Sequence, residues 1–342
     1  MRKRVLEKYF IGLVILGCFL TVIICTTIGV ADISVRQTMQ ILIYKMIGWG
    51  NIEGIKDSTI AIIWNLRFPR VLLALLVGGT LSICGAAYQG IFKNPMADPF
   101  LLGVSSGAAL GASVGIILNL NIQFLGLNFI SILAFIFALL TLIIVYNISR
   151  VGNKVPIPTL LLSGVAMSQF LSAINSILMI FSDKVNQIIY WTLGSLNGKS
   201  WNELILLFPY VVISFFVLYG LHRQMDIMLL GEDSASQLGV NTERLKLVVL
   251  VVTALITAAS VSITGIIGFV GLIIPHIVRI FVGPKHKKIY PYSFLLGGVF
   301  LIVCDTIARS LTKQEIPVGV ITAVFGGPFF IYLLKKRKSG GL

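Results

Sequence analysis

Charge is what this sequence has least of. Asp, Glu, Lys and Arg make up 12% of the residues, against 57% that are hydrophobic; a soluble globular chain carries roughly 25% charged residues. A soluble fold of 342 residues would expose far more surface than so few charges could solvate. Intrinsic disorder is excluded too, since it needs low hydrophobicity and high charge. Histidine and cysteine are also sparse, with 3 and 4 residues. Cys18, Cys25, Cys84 and Cys304 all sit inside apolar stretches without a CxxC pair, as small packing residues do, and neither a disulfide framework nor a metal site is expected. HExxH and any Cys/His cluster are absent, so self-contained catalysis has no residues to run on. No Gly/Ser linker or charge run divides the chain, and residues 1–342 read as a single membrane domain.

What the sequence does have is long apolar blocks. A membrane-spanning helix needs about 20 mostly apolar residues, and candidate blocks fall at 9–30, 71–92, 101–118, 124–148, 157–181, 204–221, 246–263, 266–282, 292–311 and 316–334. The fold class is therefore all-α, a polytopic membrane protein of about ten transmembrane helices. The first block follows Arg2, Lys3 and Arg4, as in a signal peptide, but its apolar stretch runs 22 residues with no A-x-A pattern after it, which predicts a retained helix. With the N-terminus inside, 18 Lys and Arg fall inside and 9 outside, so both termini are predicted to be cytoplasmic. The same rule accounts for the net charge of +14 without nucleic acid as a partner. Residues 31–66 and 182–203 would then lie outside, with Trp49, Trp64, Trp191 and Trp201 suited to the water–lipid boundary, and 222–245 inside.

Gly103, Gly107, Gly111 and Gly115 recur every fourth residue, as do Gly78, Ser82, Ala86 and Gly90. Such faces let helix backbones approach closely in lipid, either as fixed packing or as sliding surfaces. Prolines and glycines cluster at block ends, in Asn94-Pro95, Asp98-Pro99, Pro156 with Pro158, Pro275, Pro317 and Gly326-Gly327-Pro328. Irregular backbone at membrane depth needs protein or a water-filled cavity around it, which favours a transporter or channel over a passive anchor. Asp305 is the one acid well inside an apolar block. It could be an ion-coupling site, or it could pair with Arg309 one turn on.

Gly194 to Ser200 (GSLNGKS) nearly forms a phosphate-binding loop, but Leu193 stands where the first glycine must be, and the segment is predicted outside with no strand before it. ATP, if it drives this protein, must then be hydrolysed by another chain. In residues 225–240, Asp233 and Ser234 are candidate N-caps and Gly239 a terminator, so two short helices joined at Gly231 would form a compact inner knob.

Four segments carry a family likeness: Arg67-Phe68-Pro69-Arg70; Asn94-Pro95-Met96-Ala97-Asp98-Pro99 with Leu102 to Gly107; Gly231-Glu232 through Leu238-Gly239-Val240; and Gly268 to Leu272 with Pro275-His276 and Arg279. Glu315 to Gly319 and Gly326-Gly327-Pro328 fit as well. Together they resemble the FecCD-type permeases of bacterial ABC importers, which serve iron chelates, haem and cobalamin. The resemblance implies ten helices in the cytoplasmic membrane, a second permease subunit, and two ATPase subunits beneath that carry ATP and Mg. It also implies an extracytoplasmic binding protein that delivers the ligand, with an iron(III)-siderophore or similar chelate as first expectation and haem or cobalamin as alternatives. By matching motifs, Arg67, Arg70 and Arg309 would meet acidic residues of the binding protein. Gly231, Glu232, Ala235, Leu238 and Gly239 would contact the ATPase, and Asn94, Pro95 and Met96 with Ile157 and Pro158 would form the inner gate. At the last of these the cobalamin carriers have small polar residues. His276 reads as a loop anchor, with no metal.

Overall fold

The computed structural model describes residues 2–120, 122–124, 127–312 and 314–338; side chains are not described for 2–10, 124, 127, 333, 334 and 336–338. The terminal basic side chains of Arg2, Lys3, Arg4, Lys336, Arg337 and Lys338 therefore lie outside the described residues.

Each predicted block falls on a helix. In chain order these are α1 (Arg2–Thr27), α4 (Phe68–Ile91), α5 (Val104–Ile117), α6 (Phe129–Ser149), α7 (Ile157–Ile180), α9 (Trp201–Gly220), α12 (Thr242–Thr264), α13 (Val270–Val282), α14 (His286–Ser310) and α15 (Val318–Lys338). Six helical stretches are long and apolar enough to cross a membrane, at Asp57–Ile91, Phe129–Ser149, Ile157–Ile180, Trp201–Gly220, Thr242–Thr264 and His286–Ser310; α1, α5, α13 and α15 contribute shorter apolar helices. Between them lie α2 (Val35–Ile47), α3 (Asp57–Ala61), α8 (Val185–Thr192), α10 (His222–Met228) and α11 (Glu232–Gln237). A two-residue-per-strand hairpin, β1 (Gln123–Phe124) with β2 (Leu127–Asn128), precedes α6.

The second block begins earlier than its hydropathy shows. α3, a π-helical stretch at Ile62–Arg67 and α4 form one continuous helix, Asp57–Ile91. Pro69 is the physical cause, since its ring cannot pass the carbonyl four residues back and it brings no N–H; a widened turn just before it relieves both problems. Buried on nearly every face, α4 is the central pillar, with α14, α13, α9, α12 and α1 around it.

Small residues determine how closely these helices meet. A Cβ on Gly85 would lie 1.8 Å from Gly271 O, and one on Gly78 would lie 2.3 Å from Gly297 O. In α5 the four-residue stripe lies on α6: at Gly107 and Gly111 a Cβ would meet Phe137 O at 2.7 Å and Leu133 O at 2.5 Å. Both stripes are therefore packing faces, as lipid-embedded helices need when no hydrophobic force drives them together.

Candidate functional site

Three features carry the chemistry: a cationic recess at the ends of α1 and α14, a backbone junction beside it, and a knob at the far end of the bundle.

The recess, about 290 Å³, is lined by Arg67, Arg70, Arg309, Lys199 and Glu315 among others. The three arginines picked out in the sequence are brought together here, but turned inward, at 6%, 8% and 4% exposure. Arg67 donates from Nη1 to Thr27 O at 2.6 Å and from Nη2 to Ala31 O at 2.7 Å. Arg309 donates from Nη2 to Cys25 O and, at 3.3 Å, to Thr306 Oγ1. These two guanidiniums thus satisfy carbonyls at the C-terminal end of α1 that helix geometry leaves without partners. Arg70 donates from Nε to both carboxylate oxygens of Asp305 at 3.1 and 3.0 Å, from Nη2 to Oδ1 at 2.8 Å, and from Nη1 to Glu315 Oε2 at 2.8 Å. Asp305 therefore takes Arg70 as its main partner and holds Arg309 only at 3.9 Å. The one-turn spacing to Arg309 pointed to the weaker neighbour, because a partner on α4 leaves no mark in local sequence. Four cations against the two carboxylates of Asp305 and Glu315 leave the cluster two positive charges in excess.

Lys199 was missed as a member of this site because it sat inside the near-P-loop. The structure explains that motif differently. Ser195 N donates to Thr264 O at 2.7 Å, and Gly319 N donates to Gly194 O at 3.3 Å. A Cβ on Gly194, where φ is +71°, would lie 2.2 Å from Ile266 O. The glycine permits a crossing of three backbone segments, and the Ser195 amide a phosphate loop would need is already engaged. Burial pushes the Lys199 ammonium below its usual pKa, with Glu203 opposing. A second recess of about 650 Å³ lies on the other side of residues 197–199, lined by Asn186, Gln187, Tyr190 and Thr264 among others.

The knob is two short helices joined at Gly231, as read from the sequence. The cap differs: α11 begins at Glu232 with Gly231 (φ 124°) as its N-cap, so Asp233 and Ser234 lie in its first turn. Gly239, at φ 84°, ends it as expected. Ala235 is buried, Glu232 and Gly231 are half-buried, and Gly239 is exposed. Leu238 and Leu230 stand out at 62% and 66% exposure. α10 is fixed to the bundle by buried Met225 and Met228, and by Asp226, whose Oδ1 accepts from His286 N at 2.7 Å and lies 2.8 Å from His286 Nδ1. Burial opposes ionisation of Asp226, but these contacts with His286 outweigh it and lower the pKa of the carboxyl.

Gate candidates Asn94, Pro95 and Met96 lie in the loop between α4 and α5. There Asn94 Oδ1 accepts from Met96 N at 3.1 Å and Asp98 Oδ1 from Phe100 N at 2.9 Å, two side-chain turns that replace helical bonding. Desolvation pushes the Asp98 carboxyl up to about 6. Ile157 and Pro158 form the first turn of α7, after Pro156 as N-cap. The two gate segments are on separate elements, and both approach the knob: a Cβ on Gly231 would lie 3.3 Å from Lys93 Nζ, and Glu232 bonds Lys246, which bonds Val155 O. His276 packs its ring against Phe329, and Arg279 donates to Gln89 Oε1 at 3.3 Å, tying α13 to α4.

α7 itself is little covered. Leu160 and Gly164 are its buried residues, while Leu162, Val165, Gln169, Ser172, Ser176 and Ile180 are exposed at helical spacing.

The family model described as the FecCD transport family matches residues 16–336. The cobalamin import system permease protein BtuC of Halobacterium salinarum is 44% identical over 84% of this chain and 77% of its own length. An iron chelatin transport system permease of Helicobacter pylori is 36% identical over 98% of this chain and 99% of its own. A metal-chelate type ABC transporter solved in an inward-facing conformation aligns with a TM-score of 0.83 and 31% identity, covering 96% of this chain and 99% of that one. The glycine-packed bundle, its broken helices and its protruding knob are thus those of a polytopic ABC-importer permease, and the chain belongs to the FecCD transport family.

Proposed function

We propose that this chain is the permease subunit of an ATP-driven importer in the cytoplasmic membrane. It would carry an iron(III)-siderophore or similar iron chelate by alternating access, with hydrolysis in separate ATPase subunits and both termini on their side. The observation that carries the reading is the knob: Leu230 and Leu238 are exposed on an otherwise polar protrusion, reaching both gate segments through Gly231 and Glu232. Apolar side chains so placed mark a contact with another protein, and an ATPase pushing there would move the ends of α5 and α7.

A second permease copy or relative would cover α7, since Gln169 and Ser172 facing lipid would leave polar groups without partners. At the other end, the excess positive charge of the arginine recess suits an acidic side chain of a binding protein. Asp305 already holds Arg70, which leaves an ion-coupled carrier little to work with. ATP and Mg would be held by the ATPase.

Among ligands, cobalamin is the second reading, favoured by the 44% identical relative. Uptake of labelled ferric siderophores, haem and cobalamin by cells lacking this gene, against complemented cells, tests the choice. Loss confined to a ferric chelate supports the first reading; loss of cobalamin uptake alone replaces it with the second.

A further inference from the structure

Lys246 was not singled out in the sequence, and nothing in the gate or docking motifs contains it. It lies in the first turns of α12 at 2% exposure. Its ammonium has three donors, and all three are used on three different segments: Val155 O at 3.1 Å, Glu232 Oε2 at 3.1 Å and Glu243 Oε1 at 2.6 Å. The other oxygen of Glu243 accepts from Val155 N at 3.1 Å. Both backbone polar groups of Val155 are therefore held by one turn of α12, while Glu232, the first residue of α11, is held by the same ammonium. A buried cation with two carboxylates is a poor way to gain stability, because desolvation offsets much of the attraction; its best-attested use is to fix geometry.

The chain after Val155 is stiff. Pro156 and Pro158 flank Ile157, and each locks its own φ. A displacement of Val155 therefore passes into α7 with little slack. On the other side, Gly231 at φ 124° separates α11 from α10, which is fastened to α14 through Asp226 and His286. The knob thus has an anchored half and a half whose side-chain tie leads to α12 and α7.

We propose that Lys246 is the positioning residue that makes α11, the start of α12 and residues 155–158 move as one body, so that force on the knob reaches the second gate segment. This rests on the coupling reading of α11 given above.

The test uses the full complex of this chain with the ATPase of its own transport system. Spin labels go on exposed positions, through Ser236→Cys on α11 and Lys154→Cys before α7, with labelled chain diluted by unlabelled; the native cysteines are buried. In the otherwise unchanged protein the distance between labels should stay constant between the nucleotide-free and the ATP-vanadate states. In Lys246→Met it should shift or broaden on ATP binding. Movement of the α7 label against a fixed reference should be largely lost. Glu232→Ala, at a half-exposed position that folding tolerates, should give the same loss and serves if Lys246→Met does not assemble.

A merely structural role would lower the unfolding temperature and leave these distances alone. Constant distances across the cycle in both variants would overturn the proposal. Leu238→Asp separates the two layers of argument. If it releases the ATPase while the Lys246 and Glu232 variants keep constant distances, α11 is the contact and Lys246 is not its link. If Leu238→Asp leaves the ATPase bound with unchanged turnover, the coupling reading itself fails.

Discussion

A guanidinium 8% exposed, holding two carboxylates from α14 and the segment after it, is a costly group to interrupt. Arg70→Met would leave Asp305 buried with only Arg309 at 3.9 Å. One-sided loss of a buried pair costs about 3–5 kcal/mol. The expected outcome is a loss toward the lower end, measured by unfolding in detergent, with the double variant Arg70→Met/Asp305→Leu recovering much of it. Lys199 behaves differently, since it is half-buried and outside the ion pairs. Lys199→Gln, which removes the charge without setting a carboxylate beside Glu203, should change unfolding little and weaken capture of the binding protein, more at low salt than at high. Equal capture at low salt would remove the recess from the docking surface. Asp98 supplies a pH dependence. With its folded pKa raised from 3.8 to about 6, its contribution is whole below 3.8 and is lost as pH rises through about 6. Asp98→Asn cannot ionise, so its advantage over the native chain should grow across that window and then level off; parallel curves would contradict the assignment. Of these residues the sequence exposed the arginines by their motif, but not their orientation. Arg67 and Arg309 turn inward because α1 ends with bare carbonyls beside them, a fact of tertiary packing that no local pattern records.

Among the elements, the helices were legible because hydropathy and length together specify a span, and the stripes of glycine marked which faces would meet. Which helix each stripe would meet was not legible: α5 lies on α6, its neighbour in sequence, but α4 lies on α14, more than 200 residues away. Gly85→Ala should therefore destabilise by about 1–3 kcal/mol, the usual cost of overpacking, because its Cβ would sit 1.8 Å from a backbone oxygen of Gly271. Gly12→Ala in α1, where the added Cβ meets nothing within 4 Å, should instead stabilise slightly, by up to about 1 kcal/mol of helix propensity; the opposite signs of the pair in thermal unfolding isolate the packing effect. The π-helical turn at Ile62–Arg67 was hidden as well, since Pro69 reads as a start signal for a helix and here sits inside a longer one. The caps of α11 were misplaced by a similar ambiguity, Gly231 taking a position for which Asp233 and Ser234 were the better local candidates.

For the whole molecule, the decisive property is that its two ends carry different chemistry. One holds an inward-turned cationic cluster, the other a knob with bare leucines tied to the two candidate gate segments. That polarity is what an importer driven from one side requires, and a chain coupled to an ion gradient through Asp305 would not need the knob. The most direct measurement is uptake into proteoliposomes holding this permease, its ATPase and trapped ATP, with the binding protein and labelled ferric chelate outside. Accumulation that needs the trapped ATP, stops with vanadate and persists with a protonophore is the expected result. Accumulation that survives vanadate and collapses with the protonophore would contradict import driven by ATP hydrolysis.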